Sequence, residues 1–88
     1  MCRNIRPLFN FDPPASDEEI RASALQFVRK VSGFARPSQA NQEAFERAVD
    51  EVAEAARNLI TSLRSAAPPR DRETEALKAR QRARRRFA

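Results

Sequence analysis

Histidine, tryptophan and tyrosine are absent from this chain of 88 residues, which contains one cysteine and one glycine. Without histidine the chain can form neither a Ser-His-Asp triad nor a Cys-His pair, and a single thiolate cannot build a zinc site. One cysteine also allows no disulfide within the chain, which is typical of a reducing compartment. We therefore expect no metal and no cofactor, and we favour a protein that is not an enzyme.

Long hydrophobic runs are missing as well. No segment approaches the roughly 18 apolar residues of a membrane span. Arg3 and Arg6 are followed by no apolar stretch of the ~7–15 residues that a signal peptide has. Hydrophobic residues make up 41% of the chain and charged residues 33%, which is a globular composition. We expect one small cytoplasmic domain over residues 1–88, without membrane contact.

The remaining sequence favours helix, because alanine is abundant and glycine, which costs about 1 kcal/mol in a helix, is scarce. Prolines at positions 7, 13–14, 37 and 68–69 divide the chain into segments. The sequence predicts an all-α fold with three parts. They are an extended N-terminal strap over 1–15, an antiparallel helical hairpin over 16–67, and a third, basic helix over 70–88 that frays at its end.

The first helix has the clearest ends. Ser16 followed by Glu19 is the pattern of a capping box, and Gly33 is a natural stop. These signals predict a helix over Asp17–Ser32. Its apolar residues recur at steps of four and three, with Leu25 and Val28 beside them; the stripe comprises Ile20, Ala24, Phe27, Val31 and Phe34.

The second helix is predicted from Ser38 or Asn41 to Ser65. It has the most regular apolar stripe of the chain, made of Phe45, Val49, Val52, Ala56, Leu59 and Leu63. We expect the two helices to pack through their stripes, that is through Phe27, Val31, Val49, Val52, Leu59 and Leu63. A homodimer formed by the stripe of the second helix, in a structural subunit, is the alternative interpretation.

Charge is concentrated at the C-terminal end. Residues 1–69 hold nine cations and nine acids, whereas residues 70–88 carry the whole net charge of +5. We expect this last helix to dock loosely through Leu77, with Phe87 as a second candidate contact. Six cations then follow without an acid, pointing to all sides of the helix: Lys78, Arg80, Arg82, Arg84, Arg85 and Arg86.

Such a cluster attracts nucleic acid through counterion release, and an acidic protein is the other candidate partner. No aromatic residues interleave with these cations to stack on bases. A solvated helix end is therefore the alternative interpretation.

The N-terminus is a second candidate site. Removal of Met1 would leave Cys2 with both a thiol and an α-amine, and the neighbouring Arg3 and Arg6 favour the thiolate. Asn4 could donate to an oxyanion. A nucleophile or redox sensor is one interpretation; because no histidine or carboxylate base lies nearby, a structural cysteine is the other.

The turn between the first two helices is a third candidate. Arg29, Lys30 and Arg36 lie close to Ser38, where a helix N-terminus could bind an anion. The alternative interpretation is that Ser38 is simply a cap and that the cations complement the end of the first helix.

Three stretches together resemble a known family. They are MCRNIRPLFNFDPPAS at 1–16, ALQFVRKVSGFARPSQAN at 24–41 and PPRDRETEALKAR at 68–80. The chain is similar over nearly its whole length to domain of unknown function family 2277, a bacterial family of small proteins. The resemblance implies a bacterial origin and one small domain, and it assigns no activity and no site residue. From the residues themselves we favour a non-enzymatic binding module whose basic surface meets an acidic partner, either nucleic acid or protein.

Overall fold

The computed structural model describes residues 5–87. Its elements in chain order are β1 (Phe11–Asp12), α1 (Asp17–Ser32), a 3-10 turn (Gln39–Asn41), α2 (Gln42–Ser62), β2 (Arg70–Asp71) and α3 (Arg72–Phe87). The fold is mostly helical, as predicted. The two short strands were not predicted. Within the described residues, no helix is both long and apolar enough to cross a membrane.

The ends of α1 follow from the capping signals. The backbone N–H of Glu19 donates to the Ser16 hydroxyl, and the Glu19 carboxylate accepts from the Ser16 N–H, each at 3.1 Å. At the other end Gly33 has a φ of 78°, where a side chain would be strained, and its N–H donates to the Arg29 carbonyl at 2.9 Å. The predicted bounds Asp17–Ser32 are confirmed.

The second helix starts next to Asn41, one of its two predicted starts, and ends earlier than predicted. Ser38 precedes the 3-10 turn and accepts a hydrogen bond of 2.9 Å from the Asn41 side chain, so it organises the turn and not α2 itself. Leu63 is already extended, which ends α2 at Ser62, three residues before the predicted Ser65. Ser38 therefore belongs to a separate turn, whereas Asn41 occupies the N-cap position of α2 without a side-chain cap hydrogen bond.

The core lies between α1 and α2 and is small. Among the residues whose side chains the structure describes, five are buried: Ile20, Ala24 and Val28 on α1, and Val49 and Ala53 on α2. A ring of partly buried apolar side chains packs against them, and Leu8 and Ala15 of the N-terminal segment belong to it. The N-terminal segment thus contributes two apolar side chains to the packing around α1 and α2.

The predicted packing face is wrong for four of its six residues. Phe27, Val31, Leu59 and Leu63 are 47%, 71%, 59% and 44% exposed. The buried residues follow four-residue rows, in which Ala24 and Ala53 let the two backbones approach closely. A single partner helix covers only one edge of a stripe that repeats at steps of four and three, so the other edge remains in contact with solvent.

Two ion pairs set the register of α1 against α2. Arg57 donates to Asp17 at 2.9 Å, and Arg21 donates to Asp50 at 2.6 Å. The first turn of α1 therefore lies beside the later turns of α2. All four side chains are largely exposed, so each pair contributes about 0–1 kcal/mol to stability.

The N-terminal segment is joined to the segment after α2 by a set of contacts that we call the clasp. It comprises Asn10, Phe11, Pro13, Glu19, Arg70 and Arg72. Strand β1 pairs in parallel with β2, with Phe11 opposite Arg70. The Arg70 N–H donates to the Asn10 carbonyl at 2.7 Å. Asn10 has a φ of 65°, a left-handed conformation that asparagine tolerates better than most residues.

Arg72 is the centre of the clasp. Its Nε donates to the Pro13 carbonyl at 2.7 Å, and its Nη1 donates to the Glu19 carboxylate at 2.9 Å. Its guanidinium carbon lies 5.3 Å from the centroid of the Phe11 ring. The buried Nη2 has no hydrogen-bond partner among residues 5–87. The cation–π contact with the Phe11 ring offsets part of the cost of burying it. Arg72, the first residue of α3, therefore connects this helix to both the N-terminal segment and α1.

The clasp predicts a specific dependence of stability on pH. The Arg72 guanidinium, together with the Ser16 N–H, lowers the pKa of Glu19. A carboxyl with a lower pKa in the folded state stabilises the fold above its ordinary pKa of about 4.3, and this contribution is lost as the pH falls through the folded-state pKa. We expect the melting temperature to fall on acidification below about pH 4.3, and to fall less steeply in Glu19→Gln.

Thermal melts between neutral and acid pH check this expectation. Glu18→Gln is the matched control, because it removes one carboxylate from the same helical turn outside the clasp and should keep the wild-type slope. An equally steep acid loss in Glu19→Gln and the wild type would show that Glu19 does not carry this dependence.

Candidate functional site

Helix α3 presents the largest concentration of charge in the described chain. We call its residues 78–86 the basic arm. Residues 76–86 are all exposed, so the six cations stand in solvent. Lys78 Nζ lies 3.7 Å from Glu75, which is a weak contact, and it is the one arm cation with an ion pair inside residues 5–87. Five guanidinium groups are therefore available to an external anion.

The helical conformation sorts these cations into two groups. At about 100° per residue, Lys78, Arg82, Arg85 and Arg86 share one side of α3 within an arc of roughly 100°. Arg80 and Arg84 lie on the opposite side, so the sequence-based picture of cations pointing to all sides is too uniform. Four positive side chains in one row can contact successive phosphates of a single strand.

The start of α3 is stabilised locally. Asp71 accepts hydrogen bonds from the Thr74 N–H at 2.9 Å and from the Thr74 hydroxyl at 2.7 Å. These two bonds lower the pKa of Asp71. Acidic side chains occupy the first turn and arginines the last, as the helix dipole favours. Local hydrogen bonds and the placement of charged side chains therefore stabilise α3, although it buries no face.

The basic arm is held from one end. Within the described residues α3 packs extensively against neither α1 nor α2. Leu77 is half exposed, so the expected docking through Leu77 is wrong. The Phe87 side chain lies outside the described part of the structure. The attachment passes through Arg72 and β2 in the clasp, and the arm extends away from it.

A cavity of about 420 Å³ lies at the turn between α1 and α2. It brings together two of the predicted anion-binding residues, Arg29 and Arg36, and adds Arg21; Lys30 does not line it. Two of these arginines are already engaged, since Arg21 pairs with Asp50 and the Arg29 Nε donates to the Ala35 carbonyl at 3.0 Å. The cavity is therefore a weaker candidate for an anion than the arm.

The thiol candidate cannot be placed. Cys2, Arg3 and Asn4 lie outside the described residues, and Arg6 is an exposed residue of the strap.

The sequence did not single out Arg70 and Arg72, although their charge was counted in the net charge of residues 70–88. Their partners lie more than fifty positions away, and a two-residue strand gives no periodic signal.

The chain matches a known protein family. A family model described as Uncharacterized conserved protein (DUF2277) matches residues 1–78. The matched range includes α1, α2 and the clasp, and it ends where the basic arm begins. No curated protein and no solved structure matches the chain.

Proposed function

The chain belongs to the DUF2277 family of uncharacterized conserved proteins, and from its structure we propose that it is a non-enzymatic binding module. In this proposal the basic arm presents its cations to the phosphate backbone of nucleic acid, and α1 and α2 form the base that carries the arm. An acidic protein surface is the competing partner, and the experiment below separates the two.

The observation that supports this proposal is the exposure of α3 on all sides. A helix that buries no face contributes little to a core, so its sequence is free to serve an external contact. Six cations without an acid fall within its last ten described residues. Nucleic acid binds such a strip because neutralised phosphates release condensed counterions, a gain that needs no fixed pocket.

In this proposal α1 and α2, which carry the arm, form the antiparallel helical hairpin that the sequence predicts. The ion pairs Arg57–Asp17 and Arg21–Asp50 support this arrangement, since residues later in α1 pair with residues earlier in α2. The clasp then attaches the arm to one end of the hairpin through Arg72.

The proposed contact is indifferent to base sequence. The described part of the arm contains arginine, lysine, alanine and glutamine up to residue 86, and no aromatic side chain that could stack on a base. Contacts to phosphates position a protein on nucleic acid but carry no direct sequence information. We expect duplexes of different sequence to bind with similar affinity.

The experiment compares two variants that lose the same charge. Arg82→Gln, Arg85→Gln and Arg86→Gln together remove three cations from one side of the arm. Lys30→Gln, Arg36→Gln and Arg64→Gln remove three cations from outside it. We expect the arm variant to bind a labelled duplex at low salt at least about tenfold more weakly than the wild type, because three phosphate contacts are lost. Fluorescence anisotropy measures both, and the control variant should stay within about threefold of the wild type.

Each outcome has a defined meaning. Equal losses in the two variants would contradict the arm as the binding element and indicate only a response to net charge. No binding by the wild type at low salt would exclude nucleic acid, and the acidic protein partner would then take its place.

A further inference from the structure

The cavity at the turn between α1 and α2 has an apolar wall as well as its arginines. Half of its lining residues are apolar; they are Leu25 of α1, Phe45 and Val49 of α2, and Ala35 and Pro37 of the connecting loop. Its volume of about 420 Å³ falls within the roughly 300–1,000 Å³ of small-molecule sites. An inorganic anion gains nothing from such a wall, whereas an anion with an apolar body matches both parts of the lining.

Helix α1 contributes one row of side chains to the cavity. Arg21, Leu25 and Arg29 follow at steps of four, so they lie on the same face of the helix, about 6 Å apart along its axis. Leu25 is half-buried and stands between the two arginines. The row therefore presents an apolar patch with a guanidinium group at each end.

The connecting loop fixes the position of the Arg29 guanidinium. Its Nε donates to the Ala35 carbonyl at 3.0 Å, and Arg36 follows Ala35 directly in the chain. The Nη atoms of Arg29 and the whole Arg36 side chain have no hydrogen-bond or ion-pair partner within residues 5–87. Free guanidinium N–H groups of this kind bind a carboxylate through charge-assisted hydrogen bonds. The end of the cavity next to the loop is therefore the place for a carboxylate.

The charges around the cavity leave one positive charge uncompensated. Arg21 pairs with Asp50 at 2.6 Å, and this pair is neutral. Among the other lining residues, Arg29 and Arg36 are cations and Glu46 is the one acid. A single negative charge on a ligand balances this set. A phosphate dianion would instead leave an excess negative charge beside Glu46.

We propose that this cavity binds a small organic monocarboxylate, an acid whose apolar body is an aromatic ring or a branched chain. The carboxylate accepts hydrogen bonds from Arg29 and Arg36. The apolar body packs against Leu25 and Phe45 and displaces water from them, with the Phe45 ring as a surface for stacking. The basic arm contributes no residue to the cavity, so this inference is independent of the proposed function.

Titration of the full chain with phenylpropionate, followed by the amide resonances in nuclear magnetic resonance spectra, tests the proposal. We expect saturable shifts centred on the residues that line the cavity. Two related compounds separate the contributions: phenylpropanol keeps the apolar body without the charge, and acetate keeps the charge without the ring. Each should bind at least about tenfold more weakly, because either the charge-assisted hydrogen bonds or the burial of the ring is lost.

Arg36→Gln and Lys30→Gln are the matched variants. Both residues are exposed cations near the end of α1, but Lys30 does not line the cavity. We expect Arg36→Gln to weaken phenylpropionate binding at least about fivefold, because a charge-assisted hydrogen bond is lost. Lys30→Gln should stay within about twofold of the wild type, because a solvated charge outside the site is screened. Neither variant should change the thermal melt.

The outcomes that overturn the proposal are specific. They are the absence of a saturable shift at millimolar phenylpropionate, equal affinity for acetate, and equal losses in the two variants. Shifts confined to residues 78–86 would also overturn it, because the probe would then bind the basic arm by charge alone. Since duplex binding is measured separately on the arm variant, failure of this proposal and failure of the proposed function are distinguishable.

Discussion

Raising the salt concentration from about 50 to about 200 mM should weaken nucleic-acid binding by about a thousandfold. The six cations of the arm can neutralise up to six phosphates, and each neutralised phosphate adds about −0.9 to the slope of log affinity against log salt. The slope on duplex DNA should therefore approach about −5. Because the arm stands free of α1 and α2, Glu75 is the one acid that forms an ion pair with an arm cation within residues 5–87.

A salt titration by fluorescence anisotropy measures this slope, and truncation after Leu77 is its control. The truncated chain should lose nearly all binding and keep its melting temperature, because α3 adds little to the core. A wild-type slope close to zero would show that contacts other than phosphate neutralisation dominate. Binding that survives the truncation would place the nucleic-acid surface on the helix pair.

Ile20→Ala should unfold most of the protein. Ile20 is 3% exposed and is one of the five buried residues in the described part of the chain. Removing three carbon atoms from a buried isoleucine costs about 2–5 kcal/mol, and the whole net stability of a domain of this size is about 3–5 kcal/mol. Leu77→Ala, at a half-exposed position of α3, should change the free energy of unfolding by less than about 0.5 kcal/mol.

Urea titration followed by circular dichroism measures both variants. It should be done at a low protein concentration, so that self-association contributes equally little to each. An Ile20→Ala variant as stable as the wild type would mean that the core is centred elsewhere, for instance on the exposed stripe residues Phe27 and Val31.

The first helix could be predicted from the sequence because its ends depend on local chemistry. Ser16 and Glu19 satisfy each other's backbone donors within four residues, and Gly33 supplies a left-handed residue directly after the last turn. The start of α2 lacked such a signal. Ser38 and Asn41 bind each other, which produces a turn where a cap was expected.

The packing face could be predicted only in part. The stripes indicated which side of each helix is apolar, but not which edge of the stripe meets the partner. That choice depends on Ala24 and Ala53, whose small side chains allow close approach, and on the ion pairs that fix the register. Both conditions become visible when the two helices are placed together.

The clasp and the form of the candidate site could not be predicted. Arg72 binds Glu19 and the Pro13 carbonyl across most of the chain, and neither contact leaves a repeat or motif in the sequence. The charge of residues 70–88 was evident, and so was its helical character. Its separation from the helix pair was not, because the sequence shows Leu77 but not whether a partner surface lies within its reach.

The clasp also separates the folding of the helix pair from the placement of α3. The contacts of Arg72 with Pro13 and Glu19 join residues 59 and 53 positions apart, so they carry a larger loop-closure entropy than the local hydrogen bonds within α1 and α2. No residue of the clasp is among the buried residues of the described chain, and regions with few buried contacts open with a lower free energy than the core. We therefore expect the clasp to form after the helix pair and to open before it. When the clasp opens, α3 can change its direction while α1 and α2 remain packed.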